Sequence, residues 1–119
     1  MTYLFLGHPT CSTVAKARNW LNNHHVAYTE RNIVKENPTA AELKEWIKKS
    51  GKKASDFFNT SGMKYRELDL KNKKLTLTED EQIKLLSTDG MLVKRPLLIG
   101  ENFVVAGFKQ SEWEKLSLK

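Results

Sequence analysis

Apolar and polar positions alternate with several different periods along this chain, and each change of period marks an element. Thr2-Tyr-Leu-Phe-Leu6 is a short continuous apolar run that reads as a strand. It gives way at Gly7-His-Pro-Thr10, a turn by composition, to a stretch in which Ala17, Trp20 and Leu21 share one face and predict a helix over Ser12–Asn23. Tyr28–Val34 reads as a second strand. Asn37-Pro38-Thr39 then supplies a turn and cap, Glu42 completes a Thr-x-x-Glu capping box, and Leu43, Trp46 and Ile47 form an apolar stripe that Gly51 stops. Ala54–Phe58 and Tyr65–Leu70 read as shorter helical pieces around the polar break Asn59-Thr-Ser-Gly62. A second capping box, Thr78 with Glu81, opens a helix through Leu86 with Ile83, Leu85 and Leu86 turned inward. Leu97–Ile99 and Phe103–Val105 flank a Gly100-Glu-Asn turn and predict two paired strands. Ser111 with Glu114 predicts the cap of a final short helix carrying Trp113 and Leu116.

A βαβ opening, a helical stretch and a closing ββα unit, with Pro96 just ahead of the third strand, is a thioredoxin-like order. The expected fold is therefore α/β, with a mixed four-stranded sheet and a helical insertion from about residue 37 to about residue 90. A chain of 119 residues, 39% hydrophobic and 29% charged, suits a single domain, 1–119, with its own core. Its 20 Lys and Arg against 14 Asp and Glu leave +6, which favours anionic partners. The densest basic groups, Lys48-Lys49 with Lys52-Lys53 and Lys71 with Lys73-Lys74, read as solvated helix ends or loops. Neither a helix-turn-helix nor an interleaved basic and aromatic surface stands out, so direct sequence-specific DNA binding is not expected. One cysteine forms no internal disulfide, and the chain carries no signal-peptide core and no apolar run near membrane-spanning length. The expectation is a monomer in a reducing cytoplasm, away from membranes.

Cys11 is the candidate for chemistry. A lone cysteine is by composition more readily a small buried hydrophobe than a reactive group. Its position between a strand and a helix start changes the balance, because unpaired backbone N–H groups and the positive end of the helix dipole stabilise a thiolate there. The N–H groups of Ser12, Thr13 and Val14 point toward such a sulfur and toward an anion beside it. Hydroxyls on Thr10, Ser12 and Thr13 are further donors, or equally ordinary helix caps. No set of residues suggests a metal.

Several separated stretches together resemble one known family. Cys11-Ser-Thr13 followed by Lys16-Ala17 and Trp20-Leu21, Phe57-Phe-Asn-Thr-Ser-Gly-Met-Lys-Tyr-Arg-Glu-Leu68, Asp89-Gly-Met-Leu-Val-Lys-Arg-Pro-Leu97 and Val105-Ala-Gly-Phe108 look like the arsenate reductase/Spx family, from Tyr3 to about Leu116. The resemblance implies a cis-proline at Pro96 packed across from Cys11, with Arg95 directed at a bound anion. A planar guanidinium suits that task because it makes paired hydrogen bonds to an oxyanion. Without the resemblance, Arg95-Pro96 reads rather as the start of an edge strand, with Arg95 solvated.

The chain also departs from each branch of that family. Glutaredoxin-coupled arsenate reductases surround the oxyanion with three arginines, and the resemblance places only Arg95 on one of them, with Asn59 and Gly107 at the other two; Arg66 and Lys109 fall off the motif. His8 lies one residue closer to the cysteine than the reductase histidine does, and His24 and His25 read as surface or cap neighbours. Redox-switched Spx-type regulators carry Cys-x-x-Cys, whereas this chain has Val14 in the second place. The residues leave three readings. One is a monothiol oxidoreductase with Cys11 as nucleophile, holding no cofactor and resolved by glutathione, another low-molecular-weight thiol, or a glutaredoxin- or thioredoxin-like protein. Another is an Spx-type protein that binds RNA polymerase. The last is an inactive module with Cys11 kept for packing.

Overall fold

In the computed structural model the described residues are 2–60, 62–73 and 76–116. Ser61 of the expected polar break, Lys74 of the second basic group, Leu75 and the two ends of the expected domain (Met1 and 117–119) lie outside them.

β1 (Tyr3–Gly7) is the hub of the sheet. It pairs in parallel with β2 (Tyr28–Asn32), Phe5 opposite Glu30, and antiparallel with β3 (Leu97–Ile99), Phe5 opposite Leu98. β4 (Val104–Ala106) pairs antiparallel with β3, giving the order β2-β1-β3-β4. This is the mixed four-stranded sheet of a thioredoxin-like α/β fold. Side chains of period two divide between its faces. Tyr3, Phe5 and Leu98 pack with Val14, Ala17, Trp20 and Leu21 of α1 (Ser12–Asn23) and with Trp113. Leu6, Leu97 and Ile99 pack on the opposite face beneath the insert. Both faces of β1 are covered, which is why its sequence reads as a continuous apolar run rather than an alternation.

The strand ends differ from expectation by a residue or two. β2 stops at Asn32 instead of Val34 because the Asn32 side-chain oxygen accepts the N–H groups of Val34 (2.9 Å) and Lys35 (3.0 Å), turning the chain away from the sheet. β4 begins at Val104 rather than Phe103, since Phe103 closes the turn by accepting the Gly100 N–H at 2.9 Å.

The insert opens with α2 (Ala40–Ser50). Both halves of its Thr39–Glu42 capping box form, and Gly51 ends it in the left-handed region at φ 72°. Arg31 of β2 grips Glu42 with two hydrogen bonds of 2.8 and 2.9 Å, fixing α2 against the sheet edge. A 3-10 turn follows at Ala54–Phe57. The single helical piece expected at Tyr65–Leu70 is instead α3 (Met63–Glu67) and α4 (Leu70–Lys73), parted by Asp69 in a left-handed conformation (φ 51°). α5 (Glu79–Leu86) starts at the Thr78–Glu81 capping box. It buries Ile83 and Leu86, while Leu85 is half-buried at the core margin rather than turned fully inward. The insert returns through Gly90, where a Cβ would collide with the Ile33 carbonyl. Only glycine lets this turn rest on the end of β2.

The last helix, α6 (Gln110–Trp113), is one turn long and is capped by Lys109, not by Ser111. Lys109 accepts the N–H groups of Glu112 (2.9 Å) and Trp113 (3.0 Å). The local cap signal is overridden by packing: Trp113 is fully buried, meets Phe5, Trp20 and Phe108 edge-on, and donates its indole N–H to the Gly107 carbonyl at 3.2 Å. No described helix is long and apolar enough to cross a membrane.

Candidate functional site

The link from β1 to α1 fixes one thiol at a helix start. Cys11 is the N-cap residue of α1, in extended conformation (φ −81°, ψ 121°). Its own N–H donates to the His8 carbonyl and its carbonyl accepts the Ala15 N–H, both at 3.1 Å, so the backbone around the half-buried thiol is tied down. The sulfur makes no cap hydrogen bond of ordinary geometry. Burial pushes the thiol pKa up. The N–H groups of Val14 and Thr13, together with hydrogen bonding and charge from the Arg95 guanidinium, outweigh that, and the pKa lies below the ordinary thiol value. Thiolate is therefore favoured relative to a free cysteine.

The facing wall is built where the insert is stitched to the approach of β3. Phe58 and Val93 form an antiparallel bridge, the Asn59 N–H donates to Leu92 at 2.8 Å, and the Lys94 N–H donates to Phe57 at 2.7 Å. This clamp leads straight into Arg95–Pro96, whose peptide bond is cis. The guanidinium that follows is unusual in one respect: its Nε and Nη1 are buried and have no hydrogen-bond partner among the described residues. Buried donors are costly to leave unpaired. These two belong to the guanidinium whose hydrogen bonding and charge act on the Cys11 thiol.

Cys11 opens onto a cleft of about 570 Å³ whose other walls include Thr13, Asn59, Met63, Asp89 and Arg95. Met63 is 75% exposed, and Lys64 next to it lies 3.9 Å from Asp89 across the rim. A second cavity of about 330 Å³ lies beyond the same Thr13, Asn59 and Arg95 wall.

The residues expected from sequence fall into two groups. Cys11, Thr13 and Arg95 converge on the cleft. Val14 contributes its backbone N–H, while its side chain is buried against Gly7, where a Cβ would collide with it. Pro96 is buried and holds the Gly107 N–H through its carbonyl at 2.8 Å. Thr10 and Ser12 are exposed and line neither cavity; the Thr10 hydroxyl instead lies 2.7 Å from His8 Nδ1. Asn59 and Gly107, the expected places of two absent arginines, do come to the Arg95 wall. Met63, Glu67, Asp89 and Met91 were not anticipated. They come from a one-turn helix and a 3-10 turn at Gly90–Leu92, which have no periodicity to announce them; the only sequence signal is that all four lie within the two stretches, 57–68 and 89–97, that carry the family resemblance.

A model of the ArsC family matches residues 6–116. Among curated proteins, the uncharacterised YusI of Bacillus subtilis is 46% identical over 97% of this chain and 98% of its own length. The regulatory protein MgsR of the same organism is 29% identical over 97% of this chain and 90% of its own. Among solved structures, an ArsC family related protein of Bacteroides fragilis superposes with a TM-score of 0.94 at 56% identity, covering 97% of each chain. A possible arsenate reductase of Streptococcus mutans superposes at 0.86 with 38% identity, covering 95% of this chain and 98% of that one.

Proposed function

The chain belongs to the ArsC family, and from that premise we propose that it is a thiol-dependent oxidoreductase working through Cys11 alone. The observation that carries this reading is a helix-capping thiol of lowered pKa set against a guanidinium with two buried, unpartnered N–H donors. Thiolate and anion donor are the two parts such chemistry needs. In the exchange step the Cys11 thiolate attacks one sulfur of a disulfide, RS–SR. A Cys11–SR bond forms, the S–S bond breaks, and RS⁻ leaves with the electron pair and takes a proton from water. Arg95 stabilises negative charge as it moves from one sulfur to the other.

Cys11 is the only cysteine, so release of the mixed disulfide falls to an outside thiol. Glutathione, another small thiol, or a glutaredoxin- or thioredoxin-like protein supplies it. Arsenate fits less well as the oxidant. Asn59 and Gly107 stand at the wall without guanidinium groups, and each missing charge-assisted bond forfeits about 1.5–3 kcal/mol of oxyanion binding.

The rate of Cys11 alkylation followed against pH tests the reading. A midpoint below the ordinary value of about 8.5, with turnover of a small disulfide abolished in Cys11→Ser, is the expected result. A midpoint at or above that value removes the thiolate and the mechanism with it.

The likeness to MgsR favours one second reading, a regulator of the Spx type that contacts RNA polymerase through a surface other than Cys11. Val14 occupies the place of a second thiol and is fully buried, so such a protein would act without an internal disulfide switch. Polymerase capture that persists in Cys11→Ser supports this reading, and no capture by either form opposes it.

A further inference from the structure

We infer that the second cavity, behind Arg95, is an anion subsite that holds the carboxylate-bearing part of the small thiol joined to Cys11 during exchange. The inference rests on the thiol-exchange reading above and adds the charge of the substrate. The cavity measures about 330 Å³, at the small end of ligand sites. Thr13, Asn59 and Arg95 line both this cavity and the cleft that Cys11 opens onto, so a molecule attached at the sulfur has a short path past them.

The charge of the cavity gives its occupant. Lys52, Lys94 and Lys109 reach it with Arg95, against a single carboxylate among the described residues, Glu112. Among the described residues none of the three lysines has an ion-pair partner. The three come from separate segments: Lys52 from the turn after α2, Lys94 from the clamp, and Lys109 from the start of α6. Lys94 sits on a tethered backbone, its N–H bonded to Phe57, and its side chain crosses Gly107. A Cβ on Gly107 would stand 3.0 Å from Lys94 Cε. The Lys94 stem thus lies over Gly107 at the cavity wall, which brings its ammonium group to the same cavity as Arg95. Phe58, Ala106 and Phe108 supply apolar wall for a short carbon chain. A carboxylate on such a chain suits clustered ammonium groups, which bind as point charges without a fixed planar geometry.

The covalent step is the exchange already described. With R carrying a carboxylate, the lysines hold R while the Cys11–SR bond forms and RS⁻ departs; attack by an external thiolate on the R sulfur then breaks that bond and returns the Cys11 thiolate.

The test compares three disulfides of similar length: dianionic 3,3′-dithiodipropionate, neutral 2-hydroxyethyl disulfide and dicationic cystamine. Rate constants for mixed-disulfide formation on the intact protein are read by mass spectrometry. The expected ratio of anionic to neutral rate constants is about tenfold or more, falling with added salt. In the triple variant Lys52→Gln, Lys94→Gln, Lys109→Gln, the ratio falls toward one. All three lysines are exposed, so the core is untouched. A wild-type ratio at or below one, or a high ratio that survives in the variant, overturns the subsite and leaves the exchange reading standing. Failure of Cys11 to react with any of the three overturns the exchange reading and the subsite together.

Discussion

Replacing Arg95 with methionine separates a functional guanidinium from a structural one, because the two roles predict opposite effects on stability. In the free protein Arg95 Nε and Nη1 are buried without partners among the described residues. An unsatisfied buried donor costs about 1–3 kcal/mol, and Arg95→Met removes that cost while keeping an unbranched apolar stem. Folding stability should therefore stay level or rise by about 1–2 kcal/mol. Function should move the other way. The guanidinium gives an incoming anion a charge-assisted hydrogen bond of about 1.5–3 kcal/mol. At about 1.4 kcal/mol per tenfold, its loss slows exchange with an anionic disulfide by about 10- to 100-fold. The Cys11 pKa should also rise, since the N–H groups of Val14 and Thr13 remain but the hydrogen bond and charge of Arg95 do not. Urea unfolding supplies the stability, and alkylation against pH supplies the thiol titration. At a pH where the thiol is fully ionised in both proteins, the variant should react with neutral iodoacetamide at least as fast, because a more basic thiolate is the better nucleophile. Loss of more than about 1 kcal/mol of stability with undiminished exchange would show that Arg95 is a packing residue and refute the reasoning.

Two further outcomes follow from the scaffold. Glu42 is held down to about 2, first by hydrogen bonds from Arg31 and then by its own capping bond to Thr39, against the opposing effect of burial. A depressed carboxylate adds stability that is complete above its unfolded value and disappears as the pH falls from about 4.5 toward about 2. Since about a third of the side chain is exposed, solvent screening limits the gain to about 1 kcal/mol. Denaturant unfolding of Glu42→Gln should show that deficit at neutral pH and no deficit near the acid end; an equal deficit at both would assign the loss to packing. Gly90→Ala should lower stability by about 2 kcal/mol or more, because its methyl group meets the rigid Ile33 carbonyl rather than a yielding side chain. An unchanged melting temperature would show that the insert turn shifts freely.

Much of this molecule can be read in one dimension. The capping boxes at Thr39 and Thr78 form as their spacing dictates, because a cap is a contact between residues three apart. The α1 face at Ala17, Trp20 and Leu21 is buried as its spacing requires. Failures occur where a distant contact overrules a local preference. Ser111 carries a good cap sequence, yet Lys109 caps α6 because the burial of Trp113 against Phe5 and Trp20 sets where that turn begins. The Tyr65–Leu70 pattern is broken by the left-handed turn at Asp69, which no periodicity records.

The same division governs the site. The sequence by itself determines that Cys11 caps a helix after a buried strand, and therefore that backbone N–H groups surround its sulfur. Which side chains face that sulfur is decided only by the tertiary fold. Asn59, Met63, Asp89 and Arg95 converge on the cleft, and Lys52, Lys94 and Lys109 on the cavity beside it, from turns, loops and one-turn helices. Period and spacing report contacts within an element. Chemistry between elements depends on where the sheet and the clamp at Phe58 and Val93 bring their ends together.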